Sequence, residues 1–243
     1  MYRAHKIRMY PTRAQQALLS KAAGASRFVY NWGLETWNSM YEAYTKAKTE
    51  PKPNANLLSR KWTKEKPDWA REIACCIQHN AIINLGVAYT NFFKKRADRP
   101  VFKKKGTKDM FRVDSDKASL KGTRIRLPNI GWIRLAEPLR FEGKIMSYSV
   151  SGYAGQWHVS VQVETADRRF DAPDTIVGID VGLKNPAVAS DGTKIELPAS
   201  LKKLKAKLRR AERALARSQK ASKKRLKKLK RKQKVQNKIN NIR

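Results

Sequence analysis

Residues 177–185 read Val-Gly-Ile-Asp-Val-Gly-Leu-Lys-Asn and place a single carboxylate, Asp180, within an apolar strand. A carboxylate buried in such a strand is costly unless it is paired or binds a metal ion. Gly178 and Gly182 add no side-chain bulk, so a phosphate and a cation can approach the carboxylate closely. The pattern predicts a metal-binding Asp180 or, alternatively, a carboxylate that caps the strand or pairs with a basic neighbour.

This strand is predicted to be followed by two more. One spans residues 187–190, and the other ends at Leu197 after a turn at Asp191-Gly192. Residues 171–174, which read Asp-Ala-Pro-Asp, are typical of a linker. We therefore expect a separate module over residues 174–243.

Apolar and polar residues alternate with the period of two typical of β-strands at the start of the chain and again after Pro100. The alternating segments are residues 2–10, 124–135, 144–150 and 157–163. A glycine-containing turn, Gly152-Tyr-Ala-Gly155, is expected to join the last two as a hairpin. We expect residues 1–11 and 100–170 to form a small antiparallel β-barrel.

Apolar residues between these strands have helical spacing. Thr12 is a favourable N-cap for a first helix, which we expect to end at Ala23 because Gly24 follows. A second helix is predicted from Ser26 until Pro51 closes it. A third helix is predicted over residues 67–93, so a helical module over residues 12–99 interrupts the barrel.

The charge of the chain is strongly positive and unevenly distributed. Its 54 Lys and Arg residues against 20 Asp and Glu give a net charge of +34 and a pI near 10.5. Self-repulsion of this size opposes compaction unless a polyanion neutralises it, which predicts nucleic acid as the partner. An anionic membrane is the other polyanion, but we find no apolar run of the roughly 18 residues that span a bilayer.

Much of this charge lies in two basic helices predicted over residues 199–243 and joined by a turn at 218–222. Residues 223–234 hold nine basic residues in twelve and no acid. Lys-rich helices are often only solvated faces. Like charges four residues apart destabilise a helix, however, unless a polyanion neutralises them. Contact with a nucleic-acid backbone is therefore the favoured interpretation.

The residue types that usually bind transition metals show no ligand pattern. His5, His79 and His158 are scattered, and Cys75 is adjacent to Cys76. Structural zinc sites need four convergent ligands, so zinc is not expected. Adjacent cysteines close no useful disulfide loop, which indicates a reducing compartment such as the cytoplasm.

Basic and aromatic residues interleave in a predicted loop region. The segments are Phe92-Phe-Lys-Lys-Arg96, Phe102-Lys-Lys-Lys105 and Phe111-Arg112. This pattern suits stacking on unpaired bases together with phosphate contact. A solvated charged loop is the alternative.

Six short segments in a fixed order are informative as a set. They are Lys6-Ile-Arg-Met-Tyr-Pro-Thr12, Arg27-Phe-Val-Tyr-Asn-Trp32, Arg124-Ile-Arg-Leu-Pro-Asn-Ile-Gly-Trp132, Glu142-Gly-Lys144, Val177-Gly-Ile-Asp-Val-Gly182 and Ser190-Asp-Gly192. These segments and their order resemble the TnpB/OrfB proteins of bacterial insertion sequences, which are relatives of the RNA-guided type V CRISPR effectors. The resemblance covers nearly the whole chain and implies a wedge β-barrel with an inserted helical recognition module. It further implies an RNase H-like (RuvC) α/β domain that contains the basic helical hairpin.

The resemblance implies RNA-guided DNA cleavage at a RuvC site that holds Mg²⁺, with Asp180 as a catalytic metal ligand. Family members continue to a catalytic Glu, a zinc ribbon with paired cysteines and a final catalytic Asp, which this sequence lacks. Two-metal cleavage needs several carboxylates to hold ions about 3.5–4 Å apart. The later acids, Asp191, Glu196 and Glu212, are not expected to rebuild the site. We therefore expect an incomplete RuvC domain that binds without cutting alone.

The expected nucleic-acid contacts follow from the charge and from the resemblance. They are Lys6, Arg8, Arg27, Lys103, Lys104, Lys105, Arg112, Lys223, Lys224, Arg225, Lys227 and Lys228. The expected partners are DNA, a guide-type RNA, and a separately encoded C-terminal half or a partner transposase, with no membrane. A prokaryotic, cytoplasmic location at the nucleoid is expected.

Other functions remain open. A nuclease-dead regulator would occupy DNA and block transcription or transposition. A structural RNA-binding protein, like those of ribosomes, would explain the charge but not residues 177–182. The helix pair at 12–46 also fits a DNA-reading helix-turn-helix, but it exposes only Arg27 as a strong base reader.

Overall fold

The computed structural model describes residues 1–47, 51–105, 109–153, 155–166, 176–182, 187–196, 198–220, 222–240 and 242. The chain separates into two compact units, Met1–Ala166 and Asp167–Arg243. Both units contain helices and an antiparallel sheet, so the fold is mixed α and β, as predicted. The expected linker at 171–174 lies outside the described residues.

The first unit contains a seven-stranded antiparallel sheet with the spatial order β2-β6-β7-β1-β5-β4-β3. Its strands are β1 (Tyr2–Tyr10), β2 (Asp109–Asp114), β3 (Ser119–Lys121), β4 (Arg124–Leu127), β5 (Gly131–Leu135), β6 (Lys144–Tyr153) and β7 (Gln156–Glu164). The first strand of the chain therefore lies in the middle of the sheet. The outer strands β2 and β3 do not pair, so the described sheet is open and the closure expected of a barrel is not found.

Alternation along the strands separates a buried face from an exposed one. Ile7 and Met9 on β1 are buried, whereas Lys6 and Arg8 are exposed. Ile7 lies opposite the buried Val159 of β7, and directly opposed residues share a face of the sheet. One face of the sheet is consequently apolar and covered, and the other is polar and open to solvent.

Three helices accompany the sheet. They are α1 (Arg13–Ala47), α2 (Ala55–Glu65) and α3 (Cys75–Phe93), with short 3₁₀ helices at Asp68–Glu72 and Ser115–Lys117. The helix predicted over residues 67–93 therefore begins at Cys75, and the sequence analysis missed α2. A helix N-cap at Asn54, whose side chain accepts the N–H of Leu57, defines the start of α2.

α1 is one continuous helix of 35 residues, so the expected break at Gly24 is wrong. Glycine costs about 1 kcal/mol relative to alanine inside a helix, and burial of its neighbours outweighs that cost. Ala23 and Ala25 pack into the core beneath the sheet. Further along, Leu34 and Trp37 belong to a second core formed with α2 and α3. One helix thus contributes to both hydrophobic cores.

Thr12 caps α1 as predicted. Its Oγ1 accepts the N–H of Gln15 at 3.3 Å, and the Gln15 Oε1 accepts the N–H of Thr12 at 3.0 Å. This reciprocal arrangement is a capping box. The Gln15 Nε2 also donates to the carbonyl oxygen of Trp132 at 2.9 Å, which joins the start of the helix to β5.

The second unit contains a small sheet and a helical hairpin. The sheet is antiparallel with the order β10-β9-β8, formed by β8 (Ile179–Asp180), β9 (Ala187–Ala189) and β10 (Lys194–Ile195). The predicted hairpin is confirmed as α4 (Ala199–Ala216) and α5 (Lys223–Asn240), with Leu201, Val235 and Ile239 buried together. Within the described ranges, none of the helices combines the length and hydropathy that a bilayer span requires.

A Gly24→Ala substitution should increase the free energy of unfolding by about 0.5–1 kcal/mol, because alanine is the better residue in a helix interior. The added Cβ would lie 3.8 Å from its nearest neighbour, a guanidinium nitrogen of Arg27, which is ordinary contact. Urea denaturation measures the change. In the control Gly33→Ala, the Cβ would lie 3.0 Å from the Leu85 Cδ2, so crowding should offset the helical gain. A loss of stability in Gly24→Ala would contradict the continuous helix.

Candidate nucleic-acid interface

The exposed face of the seven-stranded sheet carries a group of cations and aromatic rings. Lys6 and Arg8 alternate with buried residues on β1 and are exposed. Tyr10 lies opposite Arg134 of β5, and the β4 residues next to β5 continue the same face. We call this surface the sheet platform; it consists of Lys6, Arg8, Tyr10, Arg124, Arg126, Trp132 and Arg134.

The Tyr10 ring organises two of these cations. The Arg8 Cζ lies 5.1 Å and the Arg134 Cζ 5.0 Å from the centroid of the ring. Guanidinium groups at this distance are attracted by the ring quadrupole. Aromatic rings beside cations provide stacking for unpaired bases and contact for phosphates, so the sheet platform has the chemistry of a nucleic-acid surface.

His158 lies on the same face of the sheet but adds no charge at neutral pH. It is half-buried on β7 opposite Arg8. Burial lowers the pKa of His158, and the charges of Lys6 and Arg8 lower it further. The imidazole is therefore mainly neutral at pH 7.

Arg27 and Lys103, which are both predicted contacts, have partners inside the protein. The Arg27 Nη1 lies 2.9 Å from the Asp109 Oδ1, in a partly buried ion pair that joins α1 to the start of β2. The Lys103 Nζ lies 3.5 Å from the centroid of the buried Tyr30 ring. Although Lys103 is exposed as a residue, desolvation of its ammonium lowers the pKa of Lys103 to about 8. Both cations therefore also support the fold.

Lys104, Lys105 and Arg112 complete the predicted contacts of the first unit. Lys104 and Lys105 are exposed on the segment that follows Lys103. Arg112 is half-buried on β2 opposite Ser149, and its Nε is buried without a hydrogen-bond partner in the described part of the chain. The structure thus brings Arg27 and Lys103–Lys105 together beside α1, and it places Arg112 on the neighbouring strand.

The hairpin exposes cations on its surface and also carries a basic groove. Lys223, Lys224 and Lys227 are exposed on α5, and Lys228 is half-buried. A groove of about 540 Å³ between the helices, which we call the hairpin groove, is lined by alanine side chains of α4 and by five cations, of which Lys228 is one of the predicted contacts. These cations are Lys203, Lys207, Arg210, Lys228 and Arg231. Such a row of charges beside small residues suits a phosphate backbone.

Arg225 differs from its basic neighbours because it caps the other helix. It is half-buried, and its Nη1 donates to the carbonyl oxygens of Leu215 and Ser218, at 3.0 Å each. These carbonyls belong to the end of α4, where a cation is favoured by the helix dipole. The sequence gives no sign of this role, since Arg225 stands in an unbroken basic run.

Asp180 lies on an exposed strand, so the expectation of a buried carboxylate is wrong. Ile179 beside it is 63% exposed, and Val181 is 79% exposed. The strand is held to its neighbour by the Gly178 N–H, which donates to the Ser190 Oγ at 3.0 Å. In the described ranges the Asp180 carboxylate has no ion pair or hydrogen bond. Its assignment as a catalytic residue stays a prediction.

The residues around Asp180 do not fit a Mg²⁺ site by themselves. The described residues contain no group of three or more His, Cys, Asp or Glu side chains that could hold a metal ion. The Asp191 carboxylate accepts the N–H of Thr193 at 2.8 Å, and this bonding lowers the pKa of Asp191. Asp191 therefore serves the turn between β9 and β10, and a two-ion site needs carboxylates beyond these.

Two family models match the chain. The model described as "Helix-turn-helix domain" (HTH_OrfB_IS605) matches residues 1–46, and the one described as "Probable transposase" (OrfB_IS605) matches residues 158–243. Over 242 residues the chain is 33% identical to a protein of Escherichia coli (strain K12) named "Putative RNA-guided DNA endonuclease InsQ". The chain belongs to the TnpB/OrfB family. This membership confirms the resemblance inferred from the motifs.

The TnpB/OrfB chain spans only part of its relatives. The match to the Escherichia coli protein covers 99% of this chain and 60% of that protein. A Streptomyces pristinaespiralis protein named "Putative RNA-guided DNA endonuclease" is 30% identical, with 87% of this chain and 54% of that protein covered. Among solved structures, a Cas12f1–sgRNA–target DNA complex aligns with 100% of this chain and 66% of that chain, at 15% identity and a TM-score of 0.36.

The helix-turn-helix region of the TnpB/OrfB chain has an unexpected structure. Residues 1–46 contain β1 followed by most of α1, and the helix is not interrupted by a turn. Arg27, the base reader considered for such a motif, is paired with Asp109. The region therefore acts here as a strand and a long supporting helix.

The sequence analysis identified only Lys6 and Arg8 of the seven residues of the sheet platform. Arg124, Arg126, Trp132 and Arg134 lie in a segment that indicated two strands and, for residues 124–132, the family resemblance, but they were not expected contacts. Their alternation with the buried Ile125, Leu127, Ile133 and Leu135 is visible in the sequence. The alternation shows that these residues share one face of a strand pair. Placing that face beside Lys6 and Arg8 also requires the pairing of β5 with β1, which only the folded structure shows.

An Arg225→Met substitution should loosen the end of α4, because two carbonyl groups lose a charged donor. A loss of about 1 kcal/mol corresponds to roughly fivefold faster amide exchange in that turn. Hydrogen–deuterium exchange of a peptide covering residues 209–222 measures this. The control Lys224→Met removes the same charge from an exposed neighbour and should change exchange little. Equal exchange in both variants would contradict the capping role.

Proposed function

We propose that this TnpB/OrfB chain binds a guide-type RNA and DNA, mainly through their phosphates, as an insertion-sequence protein. The observation that carries the proposal is the arrangement of the +34 charge on defined surfaces. The sheet platform and the hairpin groove each group five cations. Phosphate neutralisation releases condensed counterions and relieves the repulsion within each group.

The names of the relatives support the choice of RNA and DNA as ligands. The Escherichia coli and Streptomyces proteins are named as RNA-guided DNA endonucleases. In RNA-guided recognition the guide reads the target sequence by base pairing, and the protein holds the heteroduplex by its backbone and shape. Because the protein then needs to contact phosphates and not to read bases, surfaces of Lys and Arg with a few aromatic rings suit this role.

We propose that the chain binds without cutting when it acts alone. Asp180 would supply a single metal ligand, and the described residues provide no cluster of carboxylates around it. Cleavage of a phosphodiester with two metal ions requires several carboxylates at one place. The other carboxylates would have to come from outside residues 1–243.

A binding-only regulator is the second candidate. The exposed position of Asp180 and its lack of carboxylate neighbours within the described ranges favour it. In that function the chain would occupy DNA and block transcription or transposition. Under the first proposal, a polypeptide that supplies the other carboxylates should restore cleavage. A binding-only regulator should remain inactive with the same polypeptide.

Replacing Lys223, Lys224, Lys227 and Lys228 together by Gln should flatten the salt dependence of nucleic-acid binding. The slope of log K against log [salt] should fall by roughly 0.7–0.9 for each phosphate that the protein no longer neutralises. Fluorescence anisotropy at several salt concentrations provides the slope for single-stranded RNA.

The matched control for this variant replaces Lys46, Arg60, Lys61 and Lys64 by Gln. These residues are exposed on α1 and α2, and none is an expected contact. The control removes the same net charge, so it separates local contact from overall attraction. Equal slopes in the two variants would exclude Lys223, Lys224, Lys227 and Lys228 from the interface.

An Asp180→Asn substitution should leave RNA affinity within about twofold. It removes one negative charge from a chain with a net charge of +34, and the phosphate contacts come from Lys and Arg side chains. The chain alone should not cleave guide-matched DNA in Mg²⁺. If a C-terminal segment of the Escherichia coli relative restores cleavage, Asp180→Asn should abolish it and the control Glu196→Gln should not. Gel assays of labelled DNA measure both. Unchanged cleavage in Asp180→Asn would contradict the assignment of Asp180 as a metal ligand. Cleavage by the chain alone would contradict the proposal that it binds without cutting.

A further inference from the structure

A groove lies between α1 and the segment of residues 99–104, which we call the strap. Its volume is about 610 Å³, within the range of roughly 300–1,000 Å³ typical of small-molecule sites. Ala23, Ser26 and Tyr30 on α1 form one wall. The strap forms the other wall, and Met110 of β2 closes one side.

Hydrogen bonds hold the strap in place, so the groove is formed before any ligand binds. The Asn31 Nδ2 donates to the Lys103 carbonyl oxygen at 3.0 Å, and the Asn31 Oδ1 accepts the Lys103 N–H at 2.8 Å. The Arg99 Nη2 donates to the Asn38 Oδ1 at 3.0 Å. Both ends of the strap are therefore fixed to α1. A site with this preorganisation loses little entropy on binding.

The groove leaves large apolar side chains open to solvent. Val101 is 74% exposed, and the neighbouring Phe102 is 54% exposed. Met110 at the side of the groove is 38% exposed. A flat apolar ligand would bury these side chains, and a planar ring would stack against Phe102.

The charges around the groove specify the other half of the ligand. Four cations line it, namely Arg27, Arg99, Lys103 and Lys104, and Arg27 among them is paired with Asp109. None of the described lining residues is acidic. The ammonium of Lys103 is already partly desolvated over Tyr30. An anion beside it would compensate for the water it has lost. The groove therefore complements a ligand that joins a planar ring to a negative charge.

We propose that the groove binds a single unpaired nucleotide of a nucleic-acid strand, with its base against Phe102 and its phosphate among the cations. This inference rests on the proposed nucleic-acid binding and adds a base-dependent site to it. Base stacking on an aromatic side chain tolerates every base, so the site would select unpaired nucleotides without reading their sequence. A nucleotide held in a helix cannot present its ring in this way.

The test compares three single strands of twelve nucleotides with the full-length protein. One strand is entirely abasic, one is abasic except for a single central thymine, and one carries thymine throughout. All have the same backbone charge, so phosphate contacts are matched. Fluorescence anisotropy at fixed salt gives the affinities.

Wild-type protein should bind the single-thymine strand about fivefold to about 150-fold more tightly than the abasic strand, as expected for one stacked base. Phe102→Ala should remove this preference while leaving the abasic affinity unchanged, and Phe102→Trp should retain it. Phe28→Ala removes a ring that is 46% exposed on α1 but does not line the groove, and it should have no effect. An unchanged melting temperature establishes that each variant is folded.

The outcomes separate the two proposals. If wild-type protein binds none of the three strands, the proposed nucleic-acid binding fails. If the strands bind but Phe102→Ala keeps the thymine preference, or weakens all strands alike, the nucleotide site is overturned and phosphate binding stands. An equal loss in Phe28→Ala would likewise overturn the assignment of the groove.

Discussion

Because α1 continues through Gly24, its N-terminal half covers the sheet while its C-terminal half packs on α2 and α3. The capping box at Thr12 and Gln15 starts this helix beside β5, and the Arg27–Asp109 ion pair joins its middle to β2. The same helix holds the strap through Asn31. The sheet platform and the strap groove are thus positioned from one rigid element, as a preorganised binding surface requires.

The positive charge has two different uses in this protein. Arg27, Lys103 and Arg225 have partners within the chain: a carboxylate, an aromatic ring and two carbonyl groups. The cations of the sheet platform and of the hairpin groove instead form groups, where they repel one another. Members of both sets come from the same basic runs in the sequence. The internal cations shape the surfaces, and the exposed ones account for the affinity that a polyanion would find there.

Local patterns in the sequence predicted five of the seven strands in the described sheet of the first unit, and the hairpin. They missed β2 and β3, and residues 111–112 of β2 were expected in a loop. Alternation identified β1 and the β6–β7 pair, and spacing of leucines identified α4 and α5. The break at Gly24 was wrong because helix propensity is weaker than the burial of Ala23 and Ala25. The sequence analysis assigned Arg225 to nucleic-acid contact and missed its capping role. Its contact with the carbonyl groups at the end of α4 exists only in the folded hairpin. The sheet platform required knowledge of strand order, which no local pattern contains.

The central position of β1 also governs when the sheet can form during synthesis. Tyr2 pairs with Glu164 and Met9 with Trp157, so most of the first strand must wait for β7, the last described strand of its unit. At translation rates of about 5–20 residues per second, that interval lasts roughly 10–30 s. Throughout it, a strand with alternating basic and apolar residues stays unpaired beside the ribosome. Long-range pairing of this kind makes the sheet the slow step in the maturation of the first unit.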